Sequence, residues 1–150
     1  MSKTKQRHPK LARKKLARKT KRINVAGFNV KNQIVKTFME ILTMIKIYHW
    51  NTRSYAQHKA TDELHERLEA NVDKFVETLL GKREDRFRHL STTIPLATKM
   101  PPEFKQRLYW FRNYLVDLDK TFGPGNSDLL NIRDEILGDV NQFLYLMTLK

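Results

Sequence analysis

Cysteine is absent from the 150 residues, so disulfides, thiolate zinc sites and cysteine nucleophiles are excluded, and any metal would need histidine and carboxylate ligands. Glycine and proline are scarce, at five each, which is too few for a turn-rich all-β fold or a disordered chain. No run of about eighteen apolar residues occurs, and the N-terminus lacks the apolar run of a secretory signal. We therefore expect a soluble, largely helical domain that neither spans a membrane nor is exported by that route.

Acidic residues are missing from the first 22 positions, which hold eleven Lys and Arg. The other 128 residues carry 18 basic and 16 acidic side chains, so most of the net charge of +13 belongs to this segment, which we call the basic arm (residues 1–22). Like charges repel one another and bury almost nothing, so the arm is predicted to be disordered when free and to serve as an interaction tail.

Residues 23–80 predict a helical hairpin. Residues 23–29 look like a short connection, followed by a largely buried helix from Asn32 to about Asn51. A second helix is expected from about His58 to Leu80, with Gly81 at its C-terminal stop.

The second half of the chain predicts another pair of helices. Pro102 suits the first turn of a third helix that ends before Gly123, and Ser127 is a good N-cap for a fourth helix that runs to Lys150. Residues 82–101 lose the periodicity and are long enough to cross a bundle. Four long helices with one crossover between helices 2 and 3 predict an all-α, ferritin-like four-helix bundle over residues 23–150.

Four residues of the second helix, His58, Asp62, Asp73 and Glu77, have the spacing of a possible metal site. At about 100° per residue they fall within an arc of roughly 100° on one face. Charged stripes opposite apolar ones are also the commonest pattern of surface helices, so a solvated face is the alternative.

His49 bears on the choice between a metal site and a solvated face. It lies toward the apolar side of the most hydrophobic helix, nine residues before His58. A lone histidine there is more often a hydrogen-bonded core residue than a ligand. Imidazoles together with carboxylates, however, are the set that binds iron, zinc or manganese.

The run Tyr48-His49-Trp50-Asn51, followed by His58-x3-Asp62-x10-Asp73-x3-Glu77, resembles the ferroxidase signature of the DNA-protecting miniferritins, the Dps family. The resemblance covers residues 45–81. The run His-Trp-Asn-Thr-Arg-Ser-Tyr at residues 49–55 also looks similar to small uncharacterised proteins of large DNA viruses and phages.

The resemblance implies a hollow homo-oligomeric shell with an iron site shared across a two-fold interface. His49 and His58 would match the histidines, Asp62 the intervening aspartate, and Asp73 and Glu77 the pair from the neighbouring chain. Trp50 would be a neighbour of the metal. Such a protein is expected to bind or compact nucleic acid, and to oxidise ferrous iron with peroxide or oxygen and store it.

The basic arm predicts binding to the phosphates of DNA, or of RNA, because clustered cations release counterions and bind largely without regard to sequence. The alternatives are a nuclear-import signal and anionic lipid. No aromatic residue is available for base stacking in the arm, which favours duplex backbone. The eight arm cations expected to contact phosphates are Lys10, Arg13, Lys14, Lys15, Arg18, Lys19, Lys21 and Arg22.

Three functions remain open at this point. The first is the Dps-like miniferritin, working inside the cell on a nucleoid, in a virion or in a nucleus. The second is a non-enzymatic DNA-packaging or virion protein with a metal-free bundle, in which the stripe is a subunit contact and the histidines are structural. The third is a monomeric helical adaptor with an import signal.

Overall fold

A computed structural model of the chain describes residues 10–84, 86–87, 90–91, 93 and 102–149, with side chains from residue 30 onward. Four helices are present: α1 (Lys10–Asn51), α2 (Tyr55–Arg83), α3 (Pro102–Thr121) and α4 (Ser127–Leu146). The described residues contain no strand. The predicted all-α four-helix bundle is therefore confirmed. Within this described part, no helix combines the length and apolarity that crossing a membrane requires.

The first helix begins much earlier than the sequence predicted. We expected a start at Asn32 after a connection over residues 23–29, whereas α1 is continuous from Lys10. Lys, Arg, Leu and Ala, which dominate residues 10–19, are all strong helix formers, and one interior glycine, Gly27, costs only about 1 kcal/mol relative to alanine. The predicted connection is thus helical. Residues 1–9 lie outside the described residues, and disorder of the free arm in solution stays a prediction.

Residue contacts divide the chain into two compact units, Met1–Ile34 and Val35–Lys150. The second unit contains the C-terminal half of α1 and all of α2, α3 and α4. Its centre is a cluster of buried rings in which Phe38 meets Phe75 and Phe111 edge to face, with centroids 5.2 and 6.0 Å apart. Burial of one such side chain contributes about 1.5–3 kcal/mol, so these rings are a main source of the unit's stability.

Ion pairs and ring contacts show the directions of the helices in the second unit. Three pairs join α2 to α4, with residue numbers that rise along one helix and fall along the other: Arg67–Asp139, Lys74–Glu135 and Lys82–Asp128. Phe104 packs on Phe143 and Asp119 pairs with Arg133, so α3 is also antiparallel to α4. Because α2 and α3 consequently run parallel, the chain must return along the bundle between Arg83 and Pro102. The predicted crossover is confirmed.

The ends of α2 differ from the prediction by three residues each. The helix begins at Tyr55 because Ser54 caps it, accepting a hydrogen bond from the Gln57 amide at 3.4 Å. It ends at Arg83 and not at Leu80, and Glu84 adopts the left-handed conformation that we expected of Gly81. Lys82 explains the extra turn, since its ammonium group donates to the Gly125 carbonyl and to Asp128.

The start and end of α4 also need correction. Ser127 is the first helical residue, whereas Asn126 occupies the cap position, and its side chain donates to the Gly123 carbonyl and does not cap the helix. The helix ends at Leu146 and does not continue to Lys150. The third helix begins at Pro102 as predicted.

Candidate functional site

The two predicted histidines meet where α1 ends and α2 begins. His49 lies in the last turn of α1 and is 7% exposed, and His58 lies in the first turn of α2. The His49 Nδ1 is 2.9 Å from the His58 carbonyl, and the His58 Nδ1 is 3.0 Å from the His49 carbonyl. The two rings stack with centroids 3.8 Å apart. We call this arrangement the histidine pair.

These reciprocal hydrogen bonds determine the tautomer of both rings. A backbone carbonyl only accepts, so each Nδ1 must carry the hydrogen that is donated. In a neutral imidazole the other nitrogen then has a free lone pair. Each Nε2 is therefore available to accept a hydrogen bond or to bind a metal, and an Nδ1–H bonded to a backbone carbonyl is the usual arrangement behind a metal-binding Nε2.

A small polar network fixes the turn that holds the histidine pair. The fully buried Thr61 donates its hydroxyl to the Gln57 carbonyl at 2.7 Å. The Gln57 side-chain carbonyl accepts from Tyr48 at 2.8 Å and from Thr52 at 2.9 Å. Burial raises the pKa of the Tyr48 phenol, and a hydrogen bond with Thr52 opposes that effect. The turn is thus held by side chains from both helices.

Gln57 and Thr61 were not among the residues singled out from the sequence. Thr61 could have been found, because it precedes Leu64 and Leu68 at helical spacing on the buried face of α2. Gln57 had no comparable signal, since its role depends on where Tyr48 and Thr52 lie in space.

Asp62 is the predicted carboxylate that lies next to the histidine pair. Its Oδ1 is 3.8 Å from the His49 Nε2 and 3.5 Å from the Lys46 ammonium, and half of its side chain is exposed. Desolvation alone would raise the pKa of Asp62. The hydrogen bond and charge of Lys46 hold that pKa below its ordinary value, and His49 adds to this effect only in its protonated form, in which its Nε2 has no lone pair to offer. Asp62 is therefore ionised at neutral pH.

Asp73 and Glu77 lie apart from this cluster within one chain. Both are exposed on α2, and they follow Asp62 by about 16 and 22 Å along the helix axis at 1.5 Å per residue. Trp50 is 69% exposed. Within one chain His49 thus lies beside both His58 and Asp62. Among the residues that the structure describes, no group of three or more His, Asp or Glu is arranged so that it could hold a metal ion.

Three acidic residues of α4 are each paired with a basic side chain. Asp139 contacts Arg67 and Asn71, Glu135 contacts Lys74, and Asp134 contacts Arg133. The arm cations Lys10 to Arg22 belong to the helical backbone of α1, and their side chains lie outside the described residues.

Residues 49–147 match a protein family described as "Family of unknown function (DUF5856)". The chain is also similar to the uncharacterized 14.6 kDa protein in the mobD-ri intergenic region of Enterobacteria phage T4. The two are 29% identical over 102 residues, which cover 68% of this chain and 75% of the phage protein. No solved structure matches the chain. The family match begins at His49, so it includes the histidine pair and excludes the basic arm.

Proposed function

We propose that this chain, which belongs to the DUF5856 family, is a Dps-like, nucleic-acid-binding protein. Its bundle would assemble around a site that binds and oxidises ferrous iron. The observation that best supports the proposal is the pair of reciprocal hydrogen bonds between His49 and His58. They orient both rings and leave each Nε2 with a lone pair, and the His49 Nε2 lies 3.8 Å from the ionised Asp62. Imidazole and carboxylate are the donors that iron, zinc and manganese share.

The geometry of His49 and Asp62 fits a shared cation. Two ligands that are each about 2.1 Å from one ion lie about 3.0 to 3.4 Å apart at octahedral or tetrahedral angles. The His49 Nε2 and the Asp62 Oδ1 are 3.8 Å apart, so a shift of a few tenths of an ångström would bring both onto one ion. The Lys46 ammonium already neutralises this carboxylate, and an iron ion would replace that contact.

A second copy of the chain would complete the ligand set. Asp73 and Glu77 are exposed on α2 and free to face a neighbour. In a two-fold interface each copy offers the same surface, so the histidines of one chain would meet the carboxylates of the other at two equivalent sites. The protein would supply the ligands and hold them in place, and the electron chemistry would be that of the bound iron.

The basic arm supports the nucleic-acid part of the proposal. Eleven cations and no acid within 22 residues would bind phosphates with a steep salt dependence. An assembly that displays many arms would bind DNA multivalently even if one arm binds weakly. The phage relative supports a viral setting, in which such a protein would package or shield nucleic acid.

The test is anaerobic titration of the full-length protein with ferrous iron, followed by peroxide, with particle size read by light scattering. Asp73→Asn should slow oxidation by more than about tenfold, since loss of even an outer partner costs a metal site that much. Glu66→Gln is the matched control, because Glu66 is also exposed on α2 and lies outside the proposed ligand set. Equal oxidation by Asp73→Asn, His49→Ala and the natural chain would refute the metal site.

A second candidate is a structural nucleic-acid-packaging protein with a metal-free bundle. The same histidine pair supports it, because its two hydrogen bonds also clamp the end of α1 to the start of α2. His58→Asn separates the candidates, since an asparagine amide can stand where Nδ1 stands and keep the clamp but offers no Nε2. If His58→Asn lowers iron binding and keeps thermal stability, the first candidate is supported. If the natural chain binds no iron, the second candidate is supported.

A further inference from the structure

The turn between α1 and α2 carries the two most exposed aromatic rings of the described residues. Trp50 is 69% exposed and Tyr55 is 79% exposed. We call residues 50–55 the hairpin tip. Large aromatic side chains are usually buried or placed at binding surfaces, because exposure forfeits their large contribution from burial. Two such rings on either side of one turn therefore need an explanation.

Cations outnumber acids around the hairpin tip, where Asp62 lies beside Lys46 and His49. Residues 46–59 contain Lys46, Arg53 and Lys59, together with the two histidines, and no acidic residue. Lys46 is paired with Asp62, whereas Arg53 and Lys59 are exposed. An exposed aromatic surface flanked by cations is complementary to a polyanion with flat, stackable groups. Single-stranded nucleic acid has this chemistry.

The hairpin tip is also rigid, which favours stacking. Thr52 is tied to Gln57, Ser54 caps α2, and the histidine pair joins the two helix ends directly behind the turn. Rings on a fixed turn lose less conformational freedom when a base stacks on them than rings on a loose loop would.

The exposed rings of α3 differ from those of the hairpin tip, because other side chains pack against them. Trp110 has the Arg107 guanidinium over its ring at 5.0 Å and Tyr114 stacked on it at 5.5 Å, and Arg112 lies over Tyr109. Within the described part of the chain, neither an aromatic ring nor a guanidinium packs against Trp50 or Tyr55. Trp50 and Tyr55 are also more exposed, at 69% and 79%, than Trp110 and Tyr109, at 43% and 40%.

We propose that the hairpin tip is a binding site for single-stranded nucleic acid, in which bases stack on Trp50 and Tyr55 and the backbone phosphates contact Arg53 and Lys59. This site goes beyond the proposed function, and it requires neither the basic arm nor a bound metal. It also supplies the aromatic contacts that the arm lacks, so one molecule would have separate contacts for duplex backbone and for unpaired bases.

The test uses the two tryptophans of the chain, Trp50 and Trp110. In full-length Trp110→Phe, Trp50 is the sole tryptophan, and its fluorescence is followed during titration with an oligothymidylate of about 12 nucleotides, which is within the range of known single-strand sites. A blunt duplex of the same length is the control ligand. Anisotropy of the labelled oligonucleotide measures total binding in the same samples, including binding by the arm.

A further variant isolates the hairpin tip by replacing all eleven Lys and Arg of the basic arm with glutamine in the full-length chain. In that background Trp50→Ala should weaken single-strand binding by roughly 5- to 150-fold, the effect of losing one stacked base. Trp50→Phe, which keeps an aromatic face, should retain most of the affinity, and Trp110→Phe should match the parent. Arg53→Gln should lower the slope of log affinity against log salt by about 0.7.

Quenching of Trp50 by the single strand and not by the duplex would support the site. Three results would each overturn it: anisotropy that shows binding while Trp50 fluorescence is unchanged, equal quenching by duplex and single strand, or no single-strand binding by the arm-neutralised chain. Failure of the proposed function is distinguishable, because iron oxidation and duplex binding by the natural arm are measured in separate experiments.

Discussion

Replacing the buried Arg133 of α4 should destabilise the α3–α4 hairpin by several kcal/mol. Arg133 is 5% exposed, and its guanidinium donates to the Leu115 carbonyl at 2.7 Å and to the Asp119 carboxylate at 2.6 Å. Its Nε lies 2.8 Å from Asp134 without forming a regular hydrogen bond. This one side chain therefore connects α4 to two positions of α3.

The magnitude follows from the two short hydrogen bonds and from the space that the side chain fills. A hydrogen bond to a charged group contributes about 1.5–3 kcal/mol to stability. The cost of desolvating the buried cation offsets part of this contribution. Asp119 is largely exposed and can be solvated again. We expect Arg133→Ala, which also leaves a cavity, to lower the free energy of unfolding by about 3–5 kcal/mol. Arg133→Met, which fills the space but loses both hydrogen bonds, should cost about 1–3 kcal/mol.

The measurement is urea unfolding of the full-length variants, followed by circular dichroism, with midpoint and slope compared. Lys74→Met is the matched control, because Lys74 is an exposed cation that also contacts α4, and its loss should cost at most about 1 kcal/mol. An Arg133→Met protein as stable as the natural chain would refute the reasoning. Equal stability would mean that the free-energy cost of desolvating the guanidinium is as large as the stabilisation from its hydrogen bonds.

Two further predictions concern charge. The Lys82 hydrogen bond lowers the pKa of Asp128, so this contact contributes stability above the unfolded pKa of about 3.8 and loses it as pH falls through the lower folded pKa. Asp128→Asn should therefore flatten the pH dependence of the urea midpoint below about pH 4, and an unchanged dependence would contradict the assignment. Replacing the eight arm cations with glutamine should reduce the salt slope of duplex binding by up to about 7. An unchanged slope in fluorescence anisotropy would show that other residues contact the duplex.

The helices were largely predictable because hydrophobic periodicity is a local signal, whereas their ends depend on neighbours. Gly81 has the sequence of a helix stop, yet α2 continues because Lys82 is anchored on Asp128 and Gly125 of another part of the chain. The contacts of Lys82 with Gly125 and Asp128 cannot be predicted from the residues around Gly81, because those partners are distant in the sequence. The early start of α1 has a different reason, since a run of like charges indicates an interaction tail while its Lys, Arg and Leu residues also favour helix.

The candidate site was predictable as a set of residues and not as a geometry. The resemblance placed His49, His58 and Asp62 in one site, and in the structure His49 stacks on His58 and lies 3.8 Å from Asp62. The reciprocal hydrogen bonds could not be predicted, because they require a turn of only three residues between α1 and α2. The contribution of Gln57 and Thr61 depends on the same turn. The pairing of Asp73 and Glu77 with these histidines stays a prediction, since it concerns two copies of the chain.

In the proposed function the two nitrogens of each imidazole have different roles, one in stability and one in metal binding. Both Nδ1 atoms are occupied by backbone carbonyls, so the clamp between α1 and α2 persists whether or not a metal is present. Neither Nε2 atom takes part in that clamp, so a metal could bind or be lost without unfolding the turn. For this reason a branch of such proteins could lose its iron and keep its histidines. The presence of His49 and His58 in a relative would then indicate the clamp, and the carboxylates Asp73 and Glu77, which no contact within the described chain requires, would be the better indicators of iron chemistry.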